Sequence, residues 1–230
     1  FGSVDPDPRR AKQRSDLFWF LARDAEDEEL RKTLAKAGRA YVGYNTFRGT
    51  IFGMDYDQLH PHFVWLGLIA AMEETGLPYA EHLIELLVKG YNRSLHNSFL
   101  AALGHSTDPA VVARLRQYMI NRGTPPSDVS SLLNRQSGQP DNAEEATDWL
   151  IKHYDRLLQI LPKSDHPWLV WRASSTCSQK TGAKVEAFFK SRIVGLTGAK
   201  RAMANVLENI SLCAALKNAQ RPGAVSALSE

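Results

Sequence analysis

Apolar side chains recur every three or four residues along most of the chain, and single glycines and prolines cut that pattern into helix-length pieces. After a polar, Pro-bearing stretch from Val4 to Arg14, Ser15-Asp16 can cap a short helix carrying Leu17, Phe18, Phe20 and Leu21. Residues 26–42 run from acidic (EDEE) to basic (RKTLAKAGR), the order a helix macrodipole favours, and Leu30, Leu34, Ala37 and Tyr41 share one face. Gly43 to Tyr56 is aromatic and glycine-bearing, and reads as an irregular connector or one short strand. Helix resumes after Leu59-His60-Pro61 through Val64, Leu68, Ala71 and Met72, and Gly76 stops it. Pro78 opens the Leu83, Leu86, Leu87 stripe that Gly90 ends, and Leu95, Phe99 and Leu103 follow up to Gly104.

The second half repeats the device. Asp108 is an N-cap with Pro109 at the first helical position, and Val112, Leu115 and Met119 lie behind it. Gly123 closes that helix, and Thr124-Pro125 opens one that buries Val129, Leu132 and Leu133. Asn142 to Glu145 reads as a capping-box variant before the stripe Ala146, Trp149, Leu150, Tyr154, Leu157, Leu158 and Leu161. Residues 165–177 predict one short helix, and Val185, Phe188 and Phe189 mark another. The last long helix covers Thr197 to Asn218 and buries Met203, Val206, Leu207, Ile210 and Ala214. The fold class is therefore all-α. Short connections between sequential helices favour antiparallel pairs, and such pairs stack into a curved solenoid of the HEAT or armadillo type. The expected organisation is an extended lead-in from an upstream domain over residues 1–14, a helical-repeat domain over 15–220 and a flexible tail over 221–230.

Composition narrows the class without naming a function. A hydrophobic fraction of 43% and a charged fraction of 23% are those of an ordinary globular protein. A formal net charge of +3, without a block of like charges, argues against a nucleic-acid partner. No apolar run is long enough to span a membrane. FGSVDPDPRR has neither a signal core nor an initiator Met, so the chain reads as part of something longer, with a cytoplasmic setting favoured. Cys177 and Cys213 are too few for a disulfide framework and read as buried small hydrophobes. The sequons at Asn92 and Asn209 carry little weight.

Candidate chemistry is sparse. His60, His62, His82, His96, His105, His153 and His166 are scattered, without a His-Glu-x-x-His pair, so no metal ligands are assigned. Cys177 lacks the surroundings of a nucleophile, Ser174-Ser175-Thr176 sit in a turn, and Asp55 and Asp57 read as solvated loop acids. No catalytic residue is expected, and no substrate-binding residue can be named. Arg114, Arg116, Arg122 and Arg135 recur through the middle helices; a peptide carboxylate suits them better than nucleic acid does.

The segment LAALGHSTDPAVVARLRQYM, Leu100 to Met119, resembles the C-terminal helical domain of the gluzincin zinc aminopeptidases, the aminopeptidase N and puromycin-sensitive aminopeptidase group. In that family a helix ending in Ala-Leu-Gly meets a Thr-x-Asp-Pro turn and a Leu-rich helix, then a polar turn and Asp-Val, as at Asp128-Val129. ATDWLIKHYDRLLQIL with Trp149 and Tyr154, VEAFFKS at Val185 to Ser191 and VLENISLCAAL at Val206 to Leu216 follow in the family's order over residues 95–216. FGSVDPDP resembles the family's Pro-bearing lead-in. Trp168 and Trp171 have no counterpart there.

The resemblance implies that zinc and the catalytic glutamate belong to a preceding thermolysin-like domain of the parent, with no cofactor in this fragment. It implies a domain that closes over the active-site chamber and holds or gates the peptide substrate, with the parent's catalytic domain and that peptide as partners. The alternative is a free-standing helical-repeat scaffold for another protein. An upstream His-Glu-x-x-His would decide between them.

Overall fold

The computed structural model describes residues 7–45, 50–51, 53–90 and 93–227. They form ten α-helices with short 3-10 turns and one small hairpin between them. The all-α expectation holds. The helices divide into two compact units, Phe1–Gln117 and Tyr118–Glu230.

In the first unit, α1 (Pro8–Arg23) starts inside the stretch expected to be extended. Asp7 accepts a hydrogen bond from the Arg9 N–H with Pro8 at the first helical turn, so the helix begins on a cap-then-proline pair. Ser15 and Asp16 are not its cap. The Ser15 hydroxyl donates to the His62 carbonyl at 3.1 Å, and Asp16 pairs with Lys12 at 2.7 Å. Leu17 and Phe20 are exposed, while Ala11 and Ala22 are buried and Trp19 stacks on Trp65 with ring centres 4.5 Å apart. Lead-in residues 1–6 lie outside the described residues.

Helix α2 (Glu28–Tyr41) follows, capped by Asp27 accepting from the Leu30 N–H at 2.9 Å. Leu34, Ala37 and Tyr41 are buried as their spacing requires. The connector is a minimal antiparallel hairpin, β1 (Tyr44–Asn45) against β2 (Thr50–Ile51), with Tyr44 opposite Ile51. Residues 46–49 and 52 of that connector lie outside the described residues. A 3-10 turn, Pro61–Phe63, leads into α3 (Val64–Thr75), and Gly76 at φ +69° separates it from α4 (Leu77–Lys89). Gly90 ends α4 in the left-handed conformation that a Cβ disfavours.

Helix α5 (His96–His105) includes Gly104, so its expected stop comes two residues later, at the extended Ser106. Asp108 caps α6 (Pro109–Ile120), its carboxylate accepting from the Ala110 and Val111 N–H groups at 2.7 and 3.4 Å. The core of this unit is built by α2, α3, α4 and α5, with α3 packing on each of the other three.

Two glycines set how closely α2 and α3 approach. A Cβ on Gly38 would overlap the Gly67 carbonyl, and a Cβ on Gly67 would strike Leu59. On the other side, the fully buried Tyr79 hydroxyl donates to the Gly38 carbonyl at 3.0 Å, and His82 Nε2 donates to the Val42 carbonyl at 2.9 Å. Carbonyls near a helix C-terminus have no intrahelical partner, and α4 supplies two from positions three apart on one face.

In the second unit, α7 (Pro126–Ser137) buries Val129, Leu132 and Leu133. Helix α8 (Ala143–Ile160) receives no cap bond from the Asn142 side chain, which is one half of the expected capping box. Its Tyr154 packs against Phe188 and Phe189 of α9 (Gln179–Arg192) at 5.4 and 5.5 Å. The segment expected as one short helix is a 3-10 helix, His166–Ala173. Helix α10 (Ala199–Ala227) continues past the residue at which a flexible tail was expected to begin. Met203, Val206, Ile210 and Ala214 are buried as expected, together with Ala199 and Ala202.

The cysteines correct the sequence reading. Cys177 and Cys213 are half-buried and joined in a disulfide, with Cα atoms 5.0 Å apart. The bond ties the segment before α9 to the middle of α10. Sequence periodicity could not show that pairing, because the partners stand 36 residues apart with a whole helix between them.

Candidate functional site

Most residues with candidate chemistry make local structural contacts. His60 Nδ1 accepts from the His62 N–H at 3.3 Å, so the pair opens a 3-10 turn. His166 Nε2 bonds the Leu161 carbonyl at 3.1 Å, His105 packs edge-on to Trp19, and the His153 ring lies 4.8 Å from that of Trp149. His96 is the first residue of α5. Asp55 accepts from the Asp57 N–H and the Gln58 side chain, Ser174 ends the 3-10 helix, and Thr176 donates to the Ala173 carbonyl. Among the described residues, no group of three or more His, Cys, Asp or Glu comes together in a way that could hold a metal ion. None of the described helices is long and apolar enough to cross a membrane. Asn209 is exposed on α10, and Asn92 lies outside the described residues.

The four arginines divide between the two units, two in each. Arg114 holds Glu81 through two bonds of 2.5 and 3.0 Å, the fork geometry that guanidinium favours. Arg116 is half-buried on the same helix. Arg122 and Arg135 belong to the second unit, where burial lowers the pKa of Arg135.

His82 is the one buried histidine, and its environment makes a testable pH dependence. Burial lowers its pKa, opposed by the bond to Val42 and by the charge of Glu85. The folded chain therefore resists protonating His82, whereas the unfolded chain takes up a proton near the ordinary value of about 6.5. Stability should be flat above that pH and fall as pH drops below about 6.5. His60 and His153 shift the same way, first through desolvation, but are more exposed, so His82 should dominate. Urea titrations at pH 8, 6.5 and 5 should show the loss. His82→Gln, which can still donate to Val42, should flatten it; an unchanged pH slope in that variant would remove His82 as the cause.

Three surface pockets differ in how their charges are matched. The first is lined by Glu28, Arg31, Lys32, Ala70, Glu73 and Glu74, and its cations are paired: Lys32 with Glu28 at 3.2 Å and Arg31 with Glu73 at 3.4 Å. The second, beside Pro78 and Val88, contains the Arg114–Glu81 pair.

The third is a groove of about 540 Å³ between the His166–Ala173 3-10 helix and the start of α10. Trp168, Trp171 and Arg172 line it from the 3-10 helix; Gly198, Arg201, Ala202 and Asn205 line it from the other side. Trp168 is 52% exposed and Trp171 36%. Arg172 donates to the Asn134 side chain of α7, and among the described residues no carboxylate lies within ion-pair distance of Arg172 or Arg201. Burial lowers the pKa of Arg172, only partly opposed by the charge of Asp165. Sequence reasoning did not assemble this groove. Its only signal was a pair of tryptophans three residues apart, outside any apolar stripe.

These features define an all-helical domain whose candidate residues cap helices, bridge elements and pair charges. The chain belongs to the ERAP1-like C-terminal domain family, whose sequence model matches residues 2–212; this is a C-terminal domain of zinc aminopeptidases. No curated protein matches the chain.

Proposed function

We propose that this chain is the non-catalytic C-terminal domain of a zinc aminopeptidase, where it caps the active-site chamber and holds or gates the peptide substrate. The observation that carries the reading is the family match over residues 2–212. Histidines used as caps and packing residues are consistent with chemistry housed elsewhere. In this reading zinc belongs to the parent's catalytic domain, which is this domain's first partner, and a peptide is the second. The helices from Pro8 to Ala227 serve the parent as its C-terminal helical domain. A cytoplasmic parent is the sequence-based expectation; the Cys177–Cys213 bond favours an oxidising compartment instead.

The test uses the full-length parent with and without residues 1–230. A cap that limits access to peptides predicts that removal changes the ratio of turnover on a ten-residue peptide to turnover on a single aminoacyl amide by about 10-fold or more, equivalent to about 1.4 kcal/mol in relative barrier. An unchanged ratio in a folded, zinc-loaded truncated enzyme would reject the capping role.

A further inference from the structure

We propose that the groove between the His166–Ala173 3-10 helix and the start of α10 binds an extended peptide segment in which apolar and acidic side chains alternate. The inference rests on the peptide-holding reading of the domain and adds a site, a ligand pattern and the residues that read it.

Three observations converge. The groove has two chemically different walls, an aromatic one carrying Trp168 and Trp171 and a polar one carrying Arg201 and Asn205. Its arginines lack carboxylate partners among the described residues, whereas cations in the other two pockets are matched. A desolvated cation is costly unless an anion or hydrogen bonds satisfy it, and the Arg172 guanidinium donates to a neutral partner, Asn134. Half-buried Arg172, its burial only partly offset by the charge of Asp165, would therefore gain from an anion in the groove.

Spacing then selects the ligand's form. Residues three apart on a 3-10 helix fall in line, about 6 Å along the axis. Trp168 and Trp171 therefore present two successive platforms along one wall. An extended chain places residues i and i+2 on one face about 6.6 Å apart, with residue i+1 on the other. A segment of the pattern apolar–acidic–apolar can thus set its two apolar side chains on the tryptophans while its carboxylate turns toward the arginines. Guanidinium can take that carboxylate through two parallel bonds. The volume of about 540 Å³ suits a segment of a few residues.

The probe is acetyl-Phe-Asp-Phe-Asp-Phe-amide carrying a fluorophore, titrated into the 230-residue chain by anisotropy. Both ends are capped, so binding must use internal carboxylates. The Asn-for-Asp peptide should bind at least 10-fold more weakly, as should the Arg201→Gln and Trp168→Ala chains. Both substituted side chains are exposed enough for the fold to survive, which unchanged helical circular dichroism would verify. Raising the salt should weaken binding of the Asp peptide. Equal affinity for the Asp and Asn peptides, or wild-type affinity in both variants, would overturn the proposal. So would tighter binding of a peptide whose only carboxylate is its C-terminus, because that indicates terminal capture. Failure here with intact length selectivity in the parent would reject the groove and leave the capping role standing.

Discussion

Gly38→Ala should destabilise the first unit by about 3 kcal/mol or more, at the upper end of overpacking effects. The added methyl would overlap the Gly67 carbonyl of α3, and backbone cannot rotate aside as a side chain can. Nor can α2 retreat freely. The Gly38 carbonyl is held by the buried Tyr79 hydroxyl at 3.0 Å and that of Val42 by His82 at 2.9 Å, so separating α2 from α3 disturbs two contacts with α4.

Gly67→Ala is the informative comparison. Its methyl would meet the end of the Leu59 side chain, which can move, with the Leu34 carbonyl at 3.4 Å in ordinary contact. Replacing a helical glycine also gains up to about 1 kcal/mol of propensity, so the net loss should be much smaller. Urea unfolding followed by hydrogen exchange in α2 and α3 separates the two cases. Near-wild-type stability of Gly38→Ala would show that the helices are not in backbone contact.

Reducing the Cys177–Cys213 bond should lower the stability of the second unit by about 3–4 kcal/mol in the chain-entropy account, given its sequence separation of 36 residues. The closed loop contains all of α9, so freeing it loosens α9 and the middle of α10 together. The loss should appear as a lower denaturation midpoint with reductant and in the Cys177→Ser/Cys213→Ser double variant. The first unit should hold its midpoint in both. A thiol titration that finds two free thiols in the unreduced folded protein would contradict the pairing.

Features set by a few neighbouring residues were legible in the sequence. Asp108-Pro109 caps α6, Gly76 and Gly90 end their helices, and Leu34, Ala37 and Tyr41 turn inward because spacing and cap chemistry are local. The start of α1 was locally legible too, since Asp7-Pro8 repeats the Asp108-Pro109 device, but the polar residues around it read as a lead-in. Long-range partners were not legible. Periodicity places Cys177 and Cys213 near helices without bringing them together, and it explains buried faces, whereas Trp168 and Trp171 are exposed. The 3-10 form of His166–Ala173 also escaped, because spacings of three serve both helix types. The groove was missed because its walls come from segments roughly 30 residues apart, beyond any local pattern.

If the peptidase chemistry lies outside this chain, the purified 230-residue chain assayed on aminoacyl fluorogenic substrates with zinc present should show no turnover above the buffer rate, and a metal assay should find no stoichiometric bound zinc. Robust cleavage that copurifies with the chain and is abolished by a chelator would contradict that placement.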